Sequence, residues 1–381
     1  MQLRLSVATA AIIVSMAAGA EDYVSVQYLQ YNETLSRTAV SAPSLMINKD
    51  FGTDYTLNAN VVFDSVSGAS ETYYDAASGA SAFSRGKGID AKDVEYGNIE
   101  YDDQRVAGGF NFTTRFDNRD ELIVGANYSA ESDFYSKEAS LEYMHWLGSS
   151  KNSSLSLGAS YQMNEILVEC DGNEACDGAS GASQKMTANV LNAQVSYFQN
   201  INAESYAKLS LFYIVDDGYL SNPYLNVVRN YIEGETADVL AEVRPDSRAA
   251  YGAMLKYANA LSDDFSLHLS YRYYSDDWEI DSHTVDSDLY YELGNDWIFK
   301  LGLRYYMQSE ASFHSSEKDY FTDEAYASSD LRLSDFDAIT YKTSVDYSIS
   351  KDLSLNFGAS YYTQSTGINA TYITTGFRYN F

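Results

Sequence analysis

Charged side chains over the last 180 residues of this 381-residue chain tend to fall on the same parity within alternating segments, which in an extended strand puts them on one face. Counted this way, Lys208, Lys256, His268, Arg272, Lys300, Arg304, Lys342 and Arg378 share a face with Asp286, Asp288 and Glu292. Their chemistry is the electrostatic orientation of a polar solute, or the mutual neutralisation of wall charges. Proton-transfer or nucleophilic catalysis has less support. The four histidines, His145, His268, His283 and His314, are scattered, and no H-E-x-x-H, G-x-S-x-G, phosphate-loop or haem-attachment pattern occurs. Ser282 and His283 are neighbours in an alternating segment, so they face opposite ways and cannot act as a dyad. No enzyme, cofactor or metal is expected. Cys170 and Cys176 flank a short acidic stretch, and in an oxidising compartment they are expected to pair with each other. The acids around them, Asp171, Glu174 and Asp177, lack the spacing of a metal loop.

The elements that would position these residues alternate on both faces. In Phe265 to Tyr274, Trp297 to Tyr306 and Leu353 to Tyr362, apolar residues alternate with small or polar ones. The last thirteen residues do the same, placing Phe377, Tyr379 and Phe381 opposite Arg378 and Asn380 and ending on an aromatic residue. That ending is similar to the terminal assembly signal of bacterial outer-membrane barrels. It implies the barrel assembly machinery as a partner, with outer-membrane lipid and lipopolysaccharide as surroundings. Sixteen alternating segments are expected, at residues 22–31, 36–49, 53–65, 103–116, 120–132, 134–147, 153–167, 186–199, 203–216, 249–261, 264–275, 281–293, 296–308, 336–349, 352–364 and 369–381. Every second connection is a turn of a few residues, whereas 66–102, 168–185, 217–248 and 309–335 all fall on the other side. Loop length sorted by parity is the asymmetry of a transmembrane antiparallel up-and-down β-barrel, with short periplasmic turns and long extracellular loops. Fourteen or eighteen strands would result if 66–102 or 217–248 were read differently.

Composition agrees with an all-β fold. The chain has 35 Tyr, 17 Phe and 3 Trp but only 3 Pro, and its mean hydropathy is negative despite 45% hydrophobic residues, as when only alternate strand residues meet lipid. Residues 1–20 carry Arg4, an apolar run and small residues before Glu21, the pattern of a secretory signal peptide, leaving 21–381 as one barrel domain. With 54 acidic against 25 basic residues, a nucleic-acid partner is excluded on charge.

Five stretches together resemble an uncharacterised bacterial family of outer-membrane barrels. They are Ser67 to Ser70 (SGAS), Asp246 to Arg248 (DSR), Tyr271 to Trp278 (YRYYSDDW), Ser282 to Val285 (SHTV) and Arg304 to Phe313 (RYYMQSEASF), concentrated in 245–314. The resemblance implies a Gram-negative outer-membrane location and a porin-like architecture, without a reaction or substrate. In the expected topology these stretches converge on the outer rim. There Asp246, Arg248, Tyr274, Asp276, Asp277 and Gln308, with Arg272 and Arg304 as further donors, would hold a solute or dock the loops. The function expected is a channel or solute-binding barrel for small polar solutes. The alternative is a non-conducting scaffold barrel that docks or sheathes a partner protein.

Overall fold

A computed structural model describes residues 22–34, 37–76, 85–170, 173, 176, 182–315 and 321–381. The expected signal segment, together with Asp171, Glu174 and Asp177, lies outside them. Sixteen strands form the wall: β1 (Tyr23–Glu33), β2 (Thr38–Phe51), β3 (Tyr55–Asp75), β5 (Val94–Arg115), β6 (Glu121–Ala130), β7 (Phe134–Leu147), β8 (Ser153–Glu169), β9 (Ser183–Asn200), β10 (Ser205–Gly218), β13 (Ser247–Ala260), β14 (Phe265–Asp276), β15 (Asp281–Leu293), β16 (Trp297–Gln308), β17 (Phe336–Ser348), β18 (Leu353–Gln364) and β19 (Asn369–Asn380). Each pairs antiparallel with its chain neighbours. The ring closes between β1 and β19, where Tyr23 faces Asn380 and Glu33 faces Ala370. Phe381 therefore ends beside the first strand, as the terminal alternation requires. The remaining strands, β4 (Gly86–Asp90), β11 (Asn226–Arg229) and β12 (Thr236–Ala241), form a separate three-stranded sheet in the order β11, β12, β4.

Strand parity decides the two faces. On β14 the outward set is Phe265, Leu267, Leu269, Tyr271 and Tyr273, and across the ring Leu157, Leu301 and Phe357 are more than half exposed on the same outer surface. Aliphatic residues fill the middle and aromatic residues the ends. From Phe265 to Tyr273 the strand runs ~27 Å, or about 20 Å of height at the usual barrel tilt, close to the apolar band of an outer-membrane barrel. The inner face is small and polar, with buried Ser154, Ser156, Ser196 and Ser210 between larger neighbours.

The two ends differ. At one, residues in the left-handed backbone region make tight reversals: Gly52 (φ 68°), Arg119 (φ 69°) and Lys151 (φ 53°). At the other, the expected loop 66–102 is mostly strand, because β3 and β5 continue as a hairpin well past the wall. The loop 217–248 does contain a hidden hairpin, β11 with β12, but it joins the separate sheet and leaves the barrel count at sixteen.

Candidate functional site: the lumen and its lid

The connection from β10 to β13 crosses the mouth. It starts on β10, yet Asn226 of β11 meets β3, six strands around the ring: the Asn226 backbone N–H donates to Thr72 Oγ1 at 2.7 Å and its side-chain amide donates to the Tyr73 carbonyl at 2.7 Å. Arg85 donates to Asn226 Oδ1 at 2.6 Å, and Ser329 Oγ, from the connection between β16 and β17, donates to its carbonyl at 2.8 Å. Asn226 is fully buried and joins three loops. Leu220 packs on the inward-facing Ile166 side of the wall and on Trp278 and Ile280 of the other side, so the crossing lies within the mouth.

Charge locks this lid. Glu242 is fully buried and accepts from the Asn222 backbone N–H and from Ser328 Oγ, while Arg244 Nε lies 2.6 Å from it. Arg244 also donates to Asp330 at 2.7 Å, and Arg332 donates to the same carboxylate at 2.8 Å. Burial alone would push the Asp330 carboxyl up, but the positive charges of Arg332 and Arg244 hold it well below its ordinary value.

The rim stretches meet, as one brace. Asp276 Oδ2 accepts from Arg248 Nε (2.7 Å) and Tyr274 OH (2.7 Å), and Oδ1 accepts from the backbone N–H groups of Trp278 and Ile280 (3.0 Å each). The Arg248 guanidinium lies 4.6 Å from the Trp278 ring. Asp277 accepts from the Ala249 N–H, and Gln308 donates to the carbonyls of Arg332 and Ser334, tying β16 to the lid. Asp246 contributes its backbone carbonyl, which accepts from Gly218 N–H at 2.7 Å. With every Asp276 oxygen engaged, the arrangement holds the lid to the wall. Arg304, expected among the rim donors, instead faces Asp286 further down.

Below the lid the lumenal charges fall into two groups. In the first, Asp286 accepts from Arg304 (2.9 Å) and Lys342 (3.0 Å), and Asp288 lies 3.2 Å from Lys300 and 2.8 Å from Lys342. Lys342 spans two strands to reach Asp288 because Gly302 stands between them; a Cβ there would come within 2.1 Å of the carboxylate. The second group is Lys208, Lys256 and Arg272. Lys208 and Lys256 stand directly opposite each other on β10 and β13, and among the described residues no carboxylate lies within 4.0 Å of any of the three. Arg272 rests on the Phe212 ring, 4.9 Å from its centroid, and the Cζ end of that ring occupies the space a Cβ on Gly252 would need. His268 packs on Tyr290 and is in register with Asp288. Glu292 and Arg378 share the inward parity nearer the turn end, where Arg378 covers the Tyr23 ring at 3.7 Å.

Other candidates lie apart. Ser282 is buried on the inner face, whereas His283 is on the outer face and is hydrogen-bonded to Tyr271 OH at 2.7 Å. Cys170 and Cys176 are disulfide-bonded with Cα atoms 5.3 Å apart. Phe377 and Tyr379 face outward near the turn end. Sequence reading missed two groupings. Asp103, Glu131 and Asp133 bring carboxylate oxygens within 4.8 Å of one another at the loop end, and burial followed by the charge of Asp103 pushes Glu131 up to about 7. At the turn end, buried Asp120 accepts from Tyr143 OH (2.6 Å), Asn118 (2.8 Å) and the Trp146 N–H (3.1 Å), with His145 Nδ1 at 2.8 Å. Burial acts to raise its pKa, yet these hydrogen bonds together hold it well below the carboxylate range.

Several solved structures are similar to this chain in part. The ferric enterobactin receptor of Pseudomonas aeruginosa is 11% identical with a TM-score of 0.43, over 91% of this chain and 54% of the receptor. The siderophore receptor PirA from Acinetobacter baumannii is 8% identical with a TM-score of 0.44, over 91% and 53%. This chain thus spans about half the length of those receptors. The monoaromatic hydrocarbon channel CymD is 10% identical with a TM-score of 0.42, over 96% of this chain and 89% of that one. No curated protein matches the sequence. The sequence does match, over residues 3–376, the family described as protein of unknown function DUF3570, and the chain belongs to that family.

Proposed function

We propose that this protein is a lidded, porin-like barrel of the Gram-negative outer membrane, and that it takes small polar solutes into its lumen by their anionic groups. The carrying observation is the facing pair Lys208 and Lys256, with Arg272 beside it and no carboxylate within 4.0 Å among the described residues. Like charges directly opposite on paired strands destabilise a sheet. In a chain of net charge −29, neutralising them would have required little. An anionic solute supplies the missing charge, and the exposed Arg272 on Phe212 gives it a planar donor. The Asp286 and Asp288 group opposes it with charges already spent on neighbours. Solute passage then depends on movement of the lid.

Conductance across a planar bilayer tests this. The wild type gives openings selective for small anions, and a Lys208→Glu/Lys256→Glu variant reverses or abolishes that preference. Unchanged selectivity in the variant rejects the solute site.

The packed lid favours a second reading, a non-conducting barrel that presents its loops to a partner protein. A variant with the lid unlocked at Glu242 separates the two. If it inserts correctly and still passes no current, the scaffold reading replaces the channel.

A further inference from the structure

Lipid-facing surfaces exclude charge, and the wall obeys this with few exceptions. Of the thirteen Lys and Arg residues on the barrel strands, ten have inward parity; the other three are Lys49, Lys137 and Lys185. Lys49 sits at the turn end, paired with Asp22 and 5.1 Å from the Phe381 ring. Lys137 and Lys185 are both at the loop end, and both line the same outward cleft of about 280 Å³ on β6 to β9, with Tyr128, Tyr135, Ser132 and Glu165.

The register sets the depth of this cleft. Along β7 the outward residues run Tyr135, Lys137, Ala139, Leu141, Tyr143, so Lys137 lies one outward step inside the aromatic Tyr135 and two from Leu141. Tyr128 of β6 is directly opposite Lys137, and Tyr135 is directly opposite Glu165. Lys185 Nζ is 3.2 Å from Glu165, and both side chains are well exposed. Lys137 is exposed and has no carboxylate within 4.0 Å among the described residues. A lysine on the lipid face near the interface extends its ammonium group to the head-group level, where an anionic group can pair with it. Glu138, the next residue in sequence, has inward parity on β7. Asp103 also has inward parity, and it accepts from Ser132 Oγ at 3.0 Å.

We infer that this cleft binds the phosphorylated head group of a glycolipid in the outer leaflet, with Lys137 and Lys185 meeting the phosphate and Tyr128 and Tyr135 packing on the sugar and the upper acyl chain. The inference rests on the outer-membrane reading above. Two cations in one aromatic-walled cleft suit a phosphate anchored in lipid. A free anion would gain nothing from the apolar half of the site.

Native mass spectrometry of the detergent-purified protein, titrated with a bisphosphorylated glucosamine-disaccharide lipid, tests it. The same lipid with its phosphates removed, and inorganic phosphate as competitor, complete the set. The Lys137→Gln/Lys185→Gln variant is expected to bind the phosphorylated lipid ~30-fold more weakly, while Lys137→Arg/Lys185→Arg binds as the wild type does. Should the double glutamine variant not fold, Lys137→Gln alone reads the same effect at about fivefold. Equal binding by the wild type and the glutamine variant, or equal binding of the two lipids, overturns the site. Displacement of the lipid by equimolar inorganic phosphate overturns the lipid as its source. A wild type that fails to insert into lipid vesicles in a protease-protected form rejects the membrane reading, and this site with it. One that inserts but ignores the phosphates rejects the site alone.

Discussion

The two ends of this barrel are built on opposite plans. At the turn end, each reversal is closed within its own hairpin or the next one, as where Asp120 binds Asn118 two residues away and Tyr143 and His145 on the adjoining strand. At the lid end, the bonds that matter join residues far apart in the chain: Asn226 to Thr72 across 154 positions, and Glu242 to Ser328 across 86. Damage at the turn end stays local. At the lid it frees several loops at once, and an end held by a few shared hubs can open as a unit while the wall remains intact.

The largest expected effect follows from removing one such hub. Glu242→Ala leaves Arg244 short of a buried counter-charge and should destabilise the lid by about 3–5 kcal/mol. Hydrogen exchange should then rise through 219–246, 309–315 and 321–335 but not in β6 to β8; a uniform rise over the wall would contradict the separation of the two ends. Asp120→Ala should lower the stability of the wall by about 2–3 kcal/mol, since the donors it satisfies lose their acceptor. Lid exchange should stay unchanged, and thermal unfolding followed by gel mobility reads the loss.

The pH responses of Asp120 and Glu131 should have opposite signs. Asp120 is held below its ordinary value, so its contribution is complete above pH 3.8 and disappears as the pH falls through its lowered pKa. Glu131 is pushed up to about 7 from 4.5, so the stability it permits is complete below pH 4.5 and is lost as the pH rises through about 7. Glu131→Gln should therefore gain roughly 1–3 kcal/mol above pH 7 and nothing at pH 4, measured as the difference in melting temperature between the two conditions. The smallest effect is at a turn. Arg119 holds φ at 69°, and Arg119→Gly should stabilise the wall by about 0.5–1 kcal/mol, the relief of left-handed strain outweighing the added chain freedom. A loss of stability there would show that the Arg119 side chain matters more than its backbone.

The same contrast explains what could be read from the sequence. Wall strands are local objects with period two, so β7 and β15 fall at the residues expected for them, and the inward parity of Lys300 and Asp286 could be counted directly. Which charges neutralise each other could not be counted. Arg304 and Arg272 are alike in the sequence, and only the register of neighbouring strands gives Asp286 to one and Phe212 to the other. The lid was harder still. Asn226 carries no mark distinguishing it from other loop asparagines, because its partners lie on loops whose approach depends on the closed ring. An extra hairpin within 217–248 was one reading of the sequence, but nothing in it said where β11 and β12 would rest. The clustering of Asp103 with Glu131 and Asp133 likewise depends on β5 pairing with β6.

The junction of β1 and β19 has a consequence for how the gene could be rearranged. Their pairing holds Phe381 N–H to the Asp22 carbonyl at 2.9 Å, leaving the ends of the described ring as close as those of any hairpin at that rim. A linker of about two to five residues would span the gap. Residues 22–381 could then be circularly permuted, with new termini cut into any of the seven short turns and no change in strand neighbours. Such permutants would move the aromatic β19 into the chain interior while preserving its pairing with β1 and β18.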